Sequence, residues 1–337
     1  MRISARIEII VIIVLTFALL ASAHLYVMLY SSASTDGTTL TVVVPKGASF
    51  KAVATSLEKA GVIRDAKALS FAARITGAYR KVRAGEYEFR ASMPPMEILD
   101  ALVEGRVKKY QVTIPEGYNV YEVALALAHA GLADEADFLA RARDPRFVAS
   151  LGLEGQSAEG YLFPDTYRFE KGMSADEMIR KMTDRFKSMY YPELDAAGKA
   201  QGMTLGKAVT LASIIEKETG DGSERPLISA VFHNRLRKRI KLQSDPTVIY
   251  GVIGRGFDGN LTKRHLLEKT PYNTYVNYGL PPGPIANPGR AALKAAVSPA
   301  SADYLYFVSM NNGSHHFSTT LKEHNNAVNL YQRRRGR

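Results

Sequence analysis

Val43-Val44-Pro45-Lys46-Gly47 returns seventy positions later as Thr113-Ile114-Pro115-Glu116-Gly117. Downstream, Val53, Ala54, Leu57, Ala60 and Gly61 align without a gap with Val123, Ala124, Leu127, Ala130 and Gly131. A strand, a Pro-x-Gly turn, an amphipathic helix and a capping glycine therefore occur twice. Two copies are too few for a solenoid and predict paired small α/β units. In the first copy, Thr38 to Val44 reads as the strand and Phe50 to Ala60 as the helix. Between the copies, Gly85 to Phe89 alternates like a strand, and Met96 to Glu104 carries a helical stripe of Met96, Leu99 and Val103. A third region begins near Gly160, where an aromatic loop breaks the helical texture. Ser174 to Tyr190 and Thr204 to Thr219 then read as helices. From Gln243 onward the chain reads as turns and strands, with Tyr304 to Ser309 the clearest strand.

Upstream of the repeat, Ile9 to Tyr30 contains no Asp, Glu, Lys or Arg. As a helix its 22 residues would span about 33 Å, enough for a bilayer core. Arg2 and Arg6 precede it and Ser31 to Thr35 is uncharged, so the positive-inside rule leaves the N-terminus in the cytoplasm and the rest outside. Ala21-Ser22-Ala23 offers the rival reading of a cleaved signal peptide. The apolar run continues past it through Tyr30, which favours a retained anchor. An extracytoplasmic location demotes nucleic acid as the partner of a chain with net charge +11, and favours an anionic polymer or a lipid surface. The tail Arg333, Arg334, Arg335 and Arg337 reads as a solvated end. The absence of cysteine excludes thiolate metal sites, iron–sulfur clusters and a cysteine nucleophile.

Thr204 to Thr219 holds the most informative chemistry. At 100° per residue from Leu211, Ile215 falls near 40° and Ile214 near 300°, with Glu218 between them at about 340° and Glu216 at about 140°. A carboxylate on an apolar stripe is costly to bury charged, so the pKa of Glu218 should rise to where a general acid is useful. The plainer reading is a last-turn residue that tips into solvent or pairs with Arg225 or Arg235. Asp245, beside Gln243 and Ser244, is the best second carboxylate, or else a helix N-cap before Pro246. Tyr272-Asn273-Thr274-Tyr275 leads to the Pro/Gly stretch Gly279 to Gly289, which is either a wall of a sugar cleft or a structural connection. Other chemistries fail. There is no H-E-x-x-H or G-x-S-x-G, and Gly202 to Lys207 is one residue short of a P-loop. Adjacent His315 and His316 point apart on a strand, so no metal site is expected.

Leu211-Ala212-Ser213-Ile214-Ile215-Glu216-Lys217-Glu218-Thr219, Val231-Phe232-His233-Asn234-Arg235-Leu236, Gln243-Ser244-Asp245-Pro246-Thr247-Val248-Ile249-Tyr250-Gly251 and Tyr272-Asn273-Thr274-Tyr275 resemble the endolytic murein transglycosylases, the YceG-like family. Gly160 to Tyr167, Gly279 to Ile285 and Tyr304 to Val308 fit the same pattern. The resemblance implies an α+β protein: a cytoplasmic N-terminus (1–8), a transmembrane helix (9–30), a linker (31–39), a first LysM-like α/β module (40–110), a second α/β repeat unit (111–159) and a mixed α+β catalytic domain with a basic tail (160–337). It implies a single-pass protein of the bacterial inner membrane, facing the periplasm. The activity implied is cleavage of the MurNAc–GlcNAc bond within peptidoglycan strands, leaving 1,6-anhydro ends. Glu218 falls on the family's catalytic glutamate. Gln243, Ser244, Asp245, Tyr272, Asn273 and Tyr275 are the substrate-binding candidates. No cofactor is implied, and peptidoglycan synthases are further candidate partners. A muramidase-type hydrolase using Asp245, or a non-catalytic wall-binding protein, are the alternatives.

Overall fold

The computed structural model describes residues 2–254 and 257–333; the basic tail from Arg334 on and the side chains of residues 2–6 and Arg333 lie outside the described residues. The architecture is mixed α+β, with one N-terminal helix long and apolar enough to cross a membrane, Ile7–Tyr30, among the described residues. Two compact units divide the chain. The first comprises Met1–Tyr110 with Phe169–Gly172, and the second Gln111–Arg168 with Met173–Arg337.

The first unit opens on α1 (Arg2–Tyr30). There follow β1 (Thr39–Val44), α2 (Phe50–Lys59), α3 (Ala66–Ile75), β2 (Gly85–Arg90) and α4 (Pro95–Glu104). β1 and β2 pair antiparallel with Val42 opposite Tyr87, and their inner faces close on Leu57, Leu69, Ile98 and Leu102. On α4 the buried residues are Pro95, Ile98, Leu99, Ala101 and Leu102, so the seam lies to one side of the expected Met96–Leu99–Val103 stripe. The difference arises because α4 meets two surfaces: Met96 turns toward Leu29 of α1 while Ile98 and Leu102 face the sheet.

The repeat is real at the level of the backbone. Gly47 and Gly117 have φ of +79° and +80°, and Gly61 and Gly131 have +73° and +66°, conformations in which glycine carries no steric penalty. The second copy runs from β3 (Lys109–Thr113) through α5 (Val120–His129), α6 (Glu135–Ala142) and α7 (Pro145–Ser150) to β4 (Thr166–Glu170), which pairs with β3.

The second unit continues with α8 (Ala175–Tyr190), α9 (Glu193–Ala200), α10 (Leu205–Glu218), α11 (Arg225–Arg237), α12 (Asp245–Val252), α13 (Lys263–Leu267) and α14 (Arg290–Val297). It closes with β5 (Tyr306–Ser309), β6 (His315–Ser318) and α15 (Leu321–Val328). The stretch after Gln243, read as turns and strands, thus contains four helices. They are short, and Pro246 serves as a first-turn residue of α12 rather than a breaker. α10 is the central element. α9, α11, α12 and α14 all pack on it, and Ala208 through Ile215 are buried without a break. A helix enclosed on every side has no solvent stripe. The division of its glutamates into core-facing and outward-facing is therefore softer than the helical wheel implied.

Glu159, 1% exposed, ties three segments of this unit together. Its carboxylate accepts from the Val120 N–H at 3.0 Å, the Tyr250 hydroxyl at 2.9 Å and Asn287 Nδ2 at 3.3 Å. Asn287 also receives the Leu162 N–H, while its Nδ2 donates to the Tyr118 carbonyl. Pro284 to Gly289 is buried throughout. That part of the Pro/Gly stretch is a structural connection, not a cleft wall.

Candidate active site

Glu218 ends α10, with Thr204 capping the helix at the other end and Thr219 leaving it in extended conformation. Its carboxylate sits where unpaired helix carbonyls concentrate negative potential, a position that disfavours charge. Glu218 is partly buried, and Ser244 donates its hydroxyl to Glu218 Oε1 at 2.5 Å. Burial pushes the carboxyl up to about 7; the Ser244 hydrogen bond opposes this, the Asp245 charge reinforces it, and the nearby Arg235 guanidinium and His315 ring oppose it.

Ser244 is 2% exposed and fixed from several directions. Its N–H donates to Thr274 Oγ1 at 3.0 Å, its carbonyl accepts from Thr247 Oγ1 at 2.6 Å, and the two threonine hydroxyls meet at 2.8 Å. The hydroxyl is therefore held in place before it meets Glu218. Ser244→Ala removes one hydrogen bond to the charged form, so the alkaline limit of activity should move up by roughly one pH unit, the worth of a hydrogen bond to an ionised group. A pH–rate profile checks this, and an unmoved limb would show that Glu218 does not set it.

The other sequence-chosen residues take distinct places. Asp245 is exposed and accepts the Tyr275 hydroxyl at 2.6 Å. Gln243 is exposed and holds φ of +54°, a left-handed conformation unusual for a residue with a side chain. Asn273 is fully buried. Its Nδ2 donates to the carbonyls of His265, Leu266 and Glu268, and its Oδ1 accepts the Tyr275 N–H, so it shapes the loop that presents Tyr275. Tyr272 packs on Tyr250 with ring centroids 4.8 Å apart, beside Glu159 rather than Glu218. His233, given no role, donates from Nε2 to the Ala296 carbonyl at 2.8 Å.

Near Glu218 lie Arg235, which the sequence offered only as an ion-pair partner, and His315 and Glu224, to which it gave no role there. Arg235 is 8% exposed; its guanidinium donates to the carbonyls of Leu305 at 2.6 Å and Leu242 at 2.9 Å and to Gln243 Oε1 at 3.3 Å. It thereby brings a positive charge to the site and holds the strained Gln243. His315 and Glu224 form a partly buried pair at 2.6 Å, and Thr219, next to Glu218, lies 3.5 Å from the same Glu224 carboxylate. Arg225 serves a different acid. It binds Glu216 at 2.7 Å and also lies 3.7 Å from Glu116, while Glu216 accepts the Gly289 N–H at 2.9 Å. Glu216 is thus neutralised and locked, whereas Glu218 keeps an uncommitted acid. No group of three or more metal-ligating side chains occurs among the described residues.

The YceG-like family model matches residues 42–330, almost the whole described chain beyond α1. The chain belongs to the YceG-like family. A Bacillus subtilis (strain 168) protein named endolytic murein transglycosylase is 35% identical to this YceG-like chain over 313 residues, covering 87% of the chain and 85% of its own length. A Streptococcus pneumoniae (strain R6) protein of the same name is 30% identical over 323 residues; that match covers 86% of the chain but 58% of the longer relative. The crystal structure of a yceG-like protein from Listeria monocytogenes superposes with a TM-score of 0.59 at 35% identity, over 86% of this chain and 98% of the other.

Proposed function

We propose that this chain is an endolytic murein transglycosylase in which Glu218 is both acid and base. The observation that carries the reading is a partly buried carboxyl with a pKa of about 7, set against a fixed hydroxyl donor. Protonated, Glu218 donates to the glycosidic oxygen as the C1–O bond breaks. The carboxylate left behind takes the proton of the muramyl 6-hydroxyl, whose oxygen closes on C1. Glu218 thus ends protonated, and no water is consumed. Glycosidases that add water use a second carboxylate as nucleophile or base. An internal hydroxyl replaces it because proximity is built into the substrate. Asp245, Tyr275 and Gln243 would hold the sugar, and Arg235 with His315 would keep the conjugate base of Glu218 stable enough to form.

In this reading α1 is a retained anchor in the bacterial inner membrane, the remaining chain lies in the periplasm, and the first β-α-α-β unit is LysM-like. The apolar length of α1 supports the anchor, and a murein substrate, as in the relatives' names, supports the periplasmic side. Product mass is the test. Muropeptides released from purified peptidoglycan should carry anhydro ends, about 18 Da lighter than reducing ends because no water enters the general-acid step. Reducing ends would make the chain a hydrolase and give Asp245 the role of second carboxylate.

A further inference from the structure

Within the first unit, α3 does more than complete the core. Ala68 and Ala72 pack against Leu29 of α1, with Leu25 and Met28 alongside. These α1 residues belong to the apolar span Ile7–Tyr30. From Ile7 to the first contact at Leu25 the helix rises about 27 Å, close to the thickness of a hydrocarbon core. α3 therefore meets α1 where the acyl chains give way to headgroups. The intervening segment leaves no slack: Ser34 N–H donates to the Ala91 carbonyl at 3.1 Å, and Arg64 reaches the Ala33 carbonyl at 3.4 Å.

On α3, counting about 100° per residue from Ala68, Ala72 lies near 40°, Ile75 near 340° and Phe71 near 300°, with Lys67 and Arg74 near 260° and 240°. The row that packs on α1 thus continues into Phe71 and Ile75, which are 52% and 69% exposed. Lys67 and Arg74 border them. A cavity of about 770 Å³ shares Lys67, Phe71 and Arg74 with this face and adds Lys51 and Arg64. Its acids are occupied: Glu58 accepts the Ala66 N–H at 2.9 Å, and Asp65 caps α3 through the N–H groups of Lys67 and Ala68. Exposed apolar side chains beside a membrane-spanning helix, rimmed by cations, match the chemistry of an interfacial helix.

We propose that the Phe71–Ile75 face of α3 lies in the outer surface of the membrane that α1 spans, with Lys67 and Arg74 meeting lipid phosphates. The inference rests on α1 being a retained anchor, and the test separates the two. The chain has no tryptophan, so a single introduced indole reports its own depth. Full-length Phe71→Trp, Val14→Trp and Val43→Trp are reconstituted in vesicles of phosphatidylcholine and phosphatidylglycerol, with and without lipid brominated at shallow acyl positions. Val14 lies within the span, and Val43 is on the exposed face of β1. The Phe71→Trp emission should be blue-shifted from that of Val43→Trp and quenched about twofold by shallow bromines, as for an interfacial side chain. Emission from Phe71→Trp that matches Val43→Trp, while deeply brominated lipid quenches Val14→Trp, overturns the inference and leaves the anchor standing. Failure of deep bromines to quench Val14→Trp overturns the anchor reading, and this inference with it.

Discussion

Glu218→Gln should lower glycan-strand cleavage by about 10³-fold, the scale of losing a residue that acts as general acid and then base. The amide retains the shape and still accepts the Ser244 hydroxyl, so the fold should survive. Its effect on stability has a definite sign. The folded carboxyl titrates at about 7 against an unfolded value of 4.5, so the native state holds the extra proton between those values. Stability from Glu218 is full below pH 4.5 and declines as the pH rises through 7. The glutamine variant should therefore melt higher than the parent at pH 8, with the gap closing at pH 5. Cleavage retained within tenfold of the parent would remove Glu218 from the mechanism; a variant that melts lower at pH 8 would show that its carboxylate is not held at a cost. Activity of the parent should fall tenfold per unit above pH about 7 as the acid form is lost.

Gly160→Ala should cost about 3–5 kcal/mol, although glycine-to-alanine changes elsewhere often stabilise. Gly160 has φ of +86°, and an added Cβ would lie 2.5 Å from Pro284 Cγ and 2.7 Å from Val209 Cγ1. Val209 belongs to α10 and Pro284 to the buried connection, so neither neighbour has room to move. Gly152→Ala is the matched control, with φ of +69° and nothing within 4 Å, and should cost only about 1 kcal/mol of backbone strain. Urea midpoints for the pair measure the difference. Equal midpoints would mean that the Val209–Pro284 packing is looser than drawn.

The repeat was legible because its turns demand glycine at fixed offsets, and Gly47, Gly61, Gly117 and Gly131 all take positive φ. Glu218 stood out because a carboxylate among isoleucines is an anomaly on any helical wheel. What stayed hidden depended on distant partners. Glu216 looks like a surface residue until Arg225 and the Gly289 N–H close on it. Arg235 reads as an ion-pair partner for Glu218, yet its donors are taken by carbonyls from Leu242 and Leu305. The His315–Glu224 pair joins residues 91 positions apart, a pairing that no local pattern encodes. Asn273 attracted notice as a polar group beside tyrosines, and its burial against three carbonyls gives that polarity an internal purpose.

Glu86 sits in β2 at 7% exposure, and its carboxylate is held well below the usual range by the Tyr110 hydroxyl and by Lys171 at 3.0 Å. Lys171 belongs to the short return of the chain, Phe169–Gly172, that completes the first unit. The first unit to leave the ribosome is thus the one that must wait. At roughly 5–20 residues per second, Lys171 follows Glu86 by about 4–17 s, an interval in which a carboxylate in a nearly closed sheet lacks that cation. A newborn chain therefore carries its earliest segment in an unfinished form, and the second half of the polypeptide supplies the last stitch of the first.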